Sequence, residues 1–194
     1  MSLAFRKWAG VLVLSLLCVN CGSTPPSRLY LLSATEGSPR ATGEGPAVGV
    51  GPITFPEYLD RSQMVIRRDG ELDLLEFERW GERLPSNFLA VLVENLAART
   101  GSDRIYSFRW PGSLSLDYRL TGSVSRFEVD ASGQALLAVQ WQIGDAEGAG
   151  VVPTRRSRFT ESSTPGDHAD AAAALSRALA AFSDEVAAAL ADLE

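Results

Sequence analysis

The chain has 194 residues, of which 45% are hydrophobic and 22% charged, and its formal net charge is −6 at pH 7. That is enough apolar chain for one sizeable core, and it excludes a disordered tail, a collagen-like chain and a multi-span membrane protein. The acidic balance gives no support to nucleic acid as a partner, because such a binder would carry a basic face.

The first twenty residues read as an address. Both cysteines, Cys18 and Cys21, fall near this end, and the only lysine is Lys7. A basic start ending in Arg6-Lys7, an apolar run from Trp8 to Val19 and small polar residues after it are the three parts of a secretory signal peptide. The run is shorter than the roughly 20 apolar residues a membrane span needs. In bacterial lipoproteins such a leader ends at a cysteine that is acylated and becomes the mature N-terminus. Cys21 suits that role better than Cys18, which follows the bulky Leu17, although Asn20 stands where a small residue is usual. The competing outcome is ordinary cleavage near Ser23, which releases a soluble periplasmic protein. A Cys-x-x-Cys redox pair belongs beside a βαβ unit, not at the end of a leader. The expected division is therefore residues 1–20 as lipoprotein signal peptide, 21–27 as a polar, proline-bearing tether and 28–194 as a periplasmic domain. Removing the leader leaves a mature chain of charge −8 with no lysine.

In the mature chain, Arg28 to Ser33 reads as a first strand and residues 35–46 as a turn-rich connector. Ala47 to Gly51 alternates as a second strand, stopped by Pro52 and Pro56. Met64–Arg68 and Glu71–Phe77 flank Asp69-Gly70, the signature of a tight hairpin. Leu84, Phe88, Leu92 and Leu96 then share one helical face up to about Arg99, with Pro85 in the first turn and Gly101 as the stop. Ile105-Tyr106 is a candidate short strand. Tyr118–Val129 and Gln134–Ile143 form the clearest hairpin, and the apolar parity of the first arm switches after Val124, which predicts a bulge near Ser125-Arg126. A third arm covers Val151–Ser162. The alanine-rich tail carries Leu175, Leu179, Phe182, Val186, Leu190 and Leu193 on one stripe, with Asp167 or Asp170 at its start. The fold class expected is α+β: one domain, two helices on one face of a mainly antiparallel or mixed sheet, in the order βββ–α–βββ–α.

Reactive groups are scarce. His168 is the only histidine and sits in a polar helix start, so no His/Cys metal cluster and no Cys–His nucleophile pair can form in the mature chain. There is no phosphate-binding loop, no Gly-x-Ser-x-Gly elbow and no glycine fingerprint. The expectation is a protein that is not an enzyme and uses no cofactor. Arg155, Arg156 and Arg158 form the one dense basic patch, suited to lipid phosphates or an acidic partner. Equally, they suit a charge-protected edge strand next to Pro153. Trp80, Trp110 and Trp141 are core or interface anchors.

Several segments resemble the PqiC-type auxiliary lipoproteins of ABC/MCE lipid transport systems. The resemblance runs from Cys21 and its tether into Arg28-Leu-Tyr-Leu-Leu32, then through Val50-Gly-Pro-Ile-Thr-Phe-Pro-Glu-Tyr-Leu-Asp-Arg61 and Gln63–Arg67. It continues in Phe77-Glu-Arg-Trp-Gly-Glu-Arg-Leu84, Val91–Leu96, Tyr118–Gly122 and the Trp141 strand. It implies a domain lipid-anchored through Cys21 at the periplasmic face of the outer membrane, where Gly22 is compatible with sorting. Its partners would be an MCE-domain protein that bridges the periplasm and an inner-membrane ABC permease and ATPase. A homo-oligomeric ring is a further expected state, and the role would be envelope integrity without catalysis. Partner contacts are expected at Tyr58, Leu59 and Arg61, and at Arg155, Arg156 and Arg158; Tyr58 and Leu59 have the alternative of plugging the sheet end. The alternative function is a free-standing envelope lipoprotein that itself binds lipid or peptidoglycan.

Overall fold

Asp69 and Gly70 both adopt positive φ, 48° and 92°, so the chain reverses within two residues. This turn joins β3 (Gln63–Arg68) to β4 (Glu71–Trp80) as the expected antiparallel hairpin. The computed structural model describes residues 25–35, 45–112 and 114–193; the leader, Cys18, Asn20 and Cys21 lie outside them.

The remaining strands are β1 (Arg28–Tyr30), β2 (Val48–Thr54), β5 (Ile105–Ser107), β6 (Tyr118–Asp130), β7 (Gln134–Asp145) and β8 (Gly150–Ser162). With α1 (Leu84–Thr100) and α2 (His168–Ala191) they make one α+β domain around a mixed eight-stranded sheet. The element order is ββββ–α–ββββ–α, which corrects the expected βββ–α–βββ–α. The miscount has a physical reason. β1 and β5, read above as a first strand and a candidate short strand, have only three residues each, and long-range parallel pairing, β1 to β4 and β5 to β2, makes both full members of the sheet.

β6 is the axis of the sheet. Along one edge it runs antiparallel to β7, which in turn pairs with β8. Its other edge is shared: Tyr118–Ser123 pair in parallel with β2, and Val129–Asp130 with β3. The sheet therefore forks into a β2–β5 arm and a β3–β4–β1 arm. The predicted bulge sits at this division, where the β6–β7 register shifts between Val124 and Arg126.

Both helices pack on each other and on the apolar face of the sheet in one continuous core. α1 buries Leu84, Phe88, Leu92 and Leu96, and α2 buries Leu175, Leu179, Phe182, Val186 and Leu190, as their spacing predicts. Alanines 171, 172, 174, 178 and 189 are buried too, so the face that α2 covers is wider than its leucine stripe. Phe88 sits edge-on between Phe55 and Phe127, at centroid distances of 5.1 and 5.2 Å. Asp167 caps α2, its side chain accepting from the backbone N–H groups of Ala169 and Asp170. Polar residues on the buried helix faces tie down the chain after β1. The Asn87 Oδ1 accepts from Leu32 N at 2.7 Å, and the Ser176 hydroxyl accepts from Ser33 N at 3.2 Å. Those bonds let an extended segment enter the core without orphaned backbone groups.

Candidate functional site

The segment between β2 and β3 crosses the fork as a single 3₁₀ turn, Glu57–Leu59, between Pro56 and Asp60. It carries the Tyr58, Leu59 and Arg61 singled out above. Tyr58 is half-buried, and its hydroxyl donates to Glu128 Oε2 at 2.8 Å. Arg61 Nε donates to the Tyr58 carbonyl at 2.8 Å, which fixes the turn from behind. Leu59 is 2% exposed and belongs to the core. Of its two readings it takes the packing one, because its side chain is not presented at the surface.

Glu128 is the residue that sequence reasoning missed. Its side chain is 1% exposed, yet it accepts from Arg67 Nε at 2.8 Å and Arg126 Nε at 2.7 Å, besides Tyr58 and the backbone N–H of Phe127. Burial pushes this carboxyl up. Hydrogen bonds from Arg67, Arg126 and Tyr58 outweigh burial and hold it below the ordinary glutamate range. Tyr58 responds in the opposite sense: burial and then the Glu128 carboxylate push its phenol up to about 12. The Arg67 guanidinium also lies over the Tyr58 ring, 5.8 Å from its centroid. With its oxygens saturated by donors, Glu128 is a fixed anion that holds Tyr58 rigid at the fork. The hint in the sequence was an acid between Phe127 and Val129 in a buried strand.

The basic patch lies on β8, a free edge of the sheet, and the strand divides it. The Arg155 guanidinium lies 5.6 Å from the Trp141 ring centroid. Arg156, whose Nε donates to Gln140 Oε1 at 3.1 Å, lines with Arg158 a surface depression of about 440 Å³. Ser125 lines the same depression, and its carbonyl accepts a long 3.4 Å bond from the Tyr58 hydroxyl. The bulge thus brings Tyr58 and the Arg156–Arg158 pair to one surface. Trp80 and Trp141 are core residues, at 6% and 1% exposed, and Trp110 is half-buried. His168 opens α2, with Nδ1 3.9 Å from Glu78 Oε1. Among the described residues no group of acids, histidines and cysteines is placed to hold a metal ion, and no helix is long and apolar enough to cross a membrane.

The chain matches the family described as the ABC-type transport auxiliary lipoprotein component over residues 30–187, from the end of β1 into α2. This protein belongs to that family. An auxiliary lipoprotein is a component of a transport system, and its family is not an enzyme family. No curated protein matches it. Among solved structures it is similar in fold to one described as an uncharacterized protein, at 16% identity and TM-score 0.69, over 86% of this chain and 99% of that one. It is likewise similar to protein XCC0632 from Xanthomonas campestris, of the DUF330 family, at 18% identity and TM-score 0.67, over 83% and 93% of the two chains. The lipoprotein family associates the chain with the cell envelope.

Proposed function

We propose that this auxiliary lipoprotein is a non-enzymatic subunit, anchored through a lipid on Cys21, that docks the periplasm-spanning MCE component of an ABC-type lipid transporter at the outer membrane. The family match carries this reading, because it spans nearly the whole folded domain and names the transport role. Seven chain steps separate Cys21 from Arg28 at the start of β1, and fully extended they reach about 24 Å. An anchor there would hold the domain against the bilayer at high local concentration, so that weak partner contacts suffice. The contact surface is the fork: Tyr58 held by Glu128, with Arg61 beside it and Arg156 and Arg158 across Ser125. Rigid aromatic and arginine side chains of this kind make good interface anchors. A carrier of whole lipids would need an apolar cavity of several hundred cubic ångströms. The 440 Å³ depression is an open surface hollow in which serines, Gln140 and two arginines stand beside Ala138 and Val139, which supports docking over carriage.

The test is co-purification from membranes that contain the MCE protein, the permease and the ATPase. The lipoprotein should come down with the MCE component; its absence from such extracts overturns the proposal. Fatty-acid labelling should be lost in Cys21→Ser, and label that survives removes Cys21 as the anchor.

A further inference from the structure

Beyond the fork, the loop after β5 closes a second pocket of about 190 Å³ with β2, β6 and the β7–β8 turn. Phe108 and Trp110 form one wall, their rings edge-to-face at 5.6 Å. Both residues pack directly against glycines of β2. A Cβ on Gly49 would lie 2.8 Å from the Trp110 ring, and one on Gly51, at φ 117°, would lie 2.7 Å from Phe108 Cβ. Arg119 on β6 lines this pocket, and its Nε is buried with no hydrogen-bond partner among the described residues. Buried donors without a partner are rare in folded proteins, and a guanidinium keeps its charge. Because Arg119 lines the pocket and keeps its charge, the pocket favours an anionic oxygen, which a planar guanidinium fork is shaped to hold.

Two neighbours indicate what carries that oxygen. Thr121 and Gln142 line the pocket beside Arg119, and Gln142 already accepts from the Thr154 hydroxyl through Oε1, which leaves its amide N–H₂ as a donor. A further cavity of about 300 Å³ continues past Pro52, Thr121 and Gln142 along Thr54, Ser123 and Gln140. The first pocket has room for about six water volumes, enough for one phosphate with a small attached group. Hydroxyl and amide groups along the continuation match a polyol. We propose that Arg119 and this groove bind the phosphorylated polyol headgroup of a phospholipid, with the phosphate at Arg119 and the polyol hydroxyls along Thr121, Gln142 and Gln140. The lipid source of that phosphate rests on the lipid-transport reading; the phosphate site itself does not.

Titration calorimetry on the full chain in non-ionic detergent tests it with four probes: dihexanoyl phosphatidylglycerol, glycerol 3-phosphate, glycerol and an acidic peptide ending in a free carboxylate. Saturable binding of both phosphate esters is expected, with none for glycerol. Arg119→Gln and Arg119→Lys should weaken it at least tenfold. Gln142→Leu, which leaves the arginine in place, should weaken it several-fold, and Leu29→Ser at the far edge of the sheet should leave it unchanged. Saturable binding of the short-chain lipid, whose phosphate is a diester, supports the lipid source, and binding of glycerol 3-phosphate without binding of the lipid overturns that source. Unchanged affinity in the Arg119 and Gln142 variants, or binding of the peptide alone, overturns the site. Co-purification with the MCE protein reads the transport role separately, so either conclusion can fail without the other.

Discussion

Arg67 on β3 and Glu128 on β6 form an ion pair at 2.8 Å across the point where the sheet divides. The acid is buried, and Arg126 and Tyr58 complete its coordination. A charge in such a place is tolerated because every donor around it is satisfied. The pair ties the β3 arm to the axis strand and fixes the turn that carries Tyr58.

Glu128→Gln keeps the shape and removes the charge, leaving Arg67 and Arg126 facing a neutral amide. Both arginines are partly exposed, so water recovers some of the loss, and the expected destabilisation is about 2 kcal/mol. Tyr58→Phe removes one hydrogen bond and should cost about 1 kcal/mol. Urea midpoints should fall in that order with unchanged slopes.

The same cluster gives the stability two pH limits. Folded Glu128 has a carboxyl below its ordinary range, so the unfolded chain takes up the proton first as pH falls. Its contribution is full above about pH 4.5 and is lost as pH drops through the lower folded value. The stability gap between wild type and Glu128→Gln should therefore shrink from pH 7 to pH 3. Tyr58 acts at the other end. Unfolded, its phenol ionises near 10.0, and folded, near about 12, so its contribution is present below pH 10 and lost as pH rises through about 12. Tyr30, raised by burial and by Glu78, adds to that alkaline loss. Melts of Tyr58→Phe should keep the part due to Tyr30 and lose the rest.

Phe88 is fully buried between two aromatic rings at the junction of α1 and the sheet. Phe88→Ala should cost about 3–5 kcal/mol, the transfer loss plus a cavity that the rigid sheet cannot close. Calorimetric melting shows this as a large drop in Tm.

Asp167→Ala removes the cap from α2, leaving the N–H groups of Ala169 and Asp170 to water. The expected cost is about 1 kcal/mol, with α2 fraying first. Hydrogen exchange at residues 169–171 should rise before exchange elsewhere in the helix.

Arg156→Gln and Arg158→Gln together should change stability by less than about 0.5 kcal/mol, because both side chains are exposed at the sheet edge. Recovery of the MCE protein in membrane pull-downs should nevertheless fall. Normal recovery would return these arginines to edge protection alone.

Local pattern made much of the fold legible. Leu84, Phe88, Leu92 and Leu96 state a helix and its buried face, Asp69-Gly70 states a hairpin, and the parity switch after Val124 states the bulge. Each is a relation between residues a few positions apart. The candidate site was legible only in part, because Tyr58, Arg61 and the arginines of β8 were visible as residues without the surface that joins them. Glu128 was hinted at only by its place between Phe127 and Val129, and Arg119 was not singled out. A charged residue in an amphipathic strand reads as solvated until its neighbours across the sheet are known.

The sequence by itself determined the apolar faces, the tight turns, an acidic start to α2 and the scarcity of reactive groups. Only the tertiary structure decided the parallel pairings that fork the sheet, the choice of Asp167 as the cap of α2, the burial of Leu59, the network around Glu128 and the buried Arg119 Nε that has no hydrogen-bond partner among the described residues. The reason is physical. Periodicity records which side of a strand meets the core, but parallel neighbours have no connecting turn to announce them. Which arginine faces which acid is settled only when β3 and β6, sixty residues apart, close side by side.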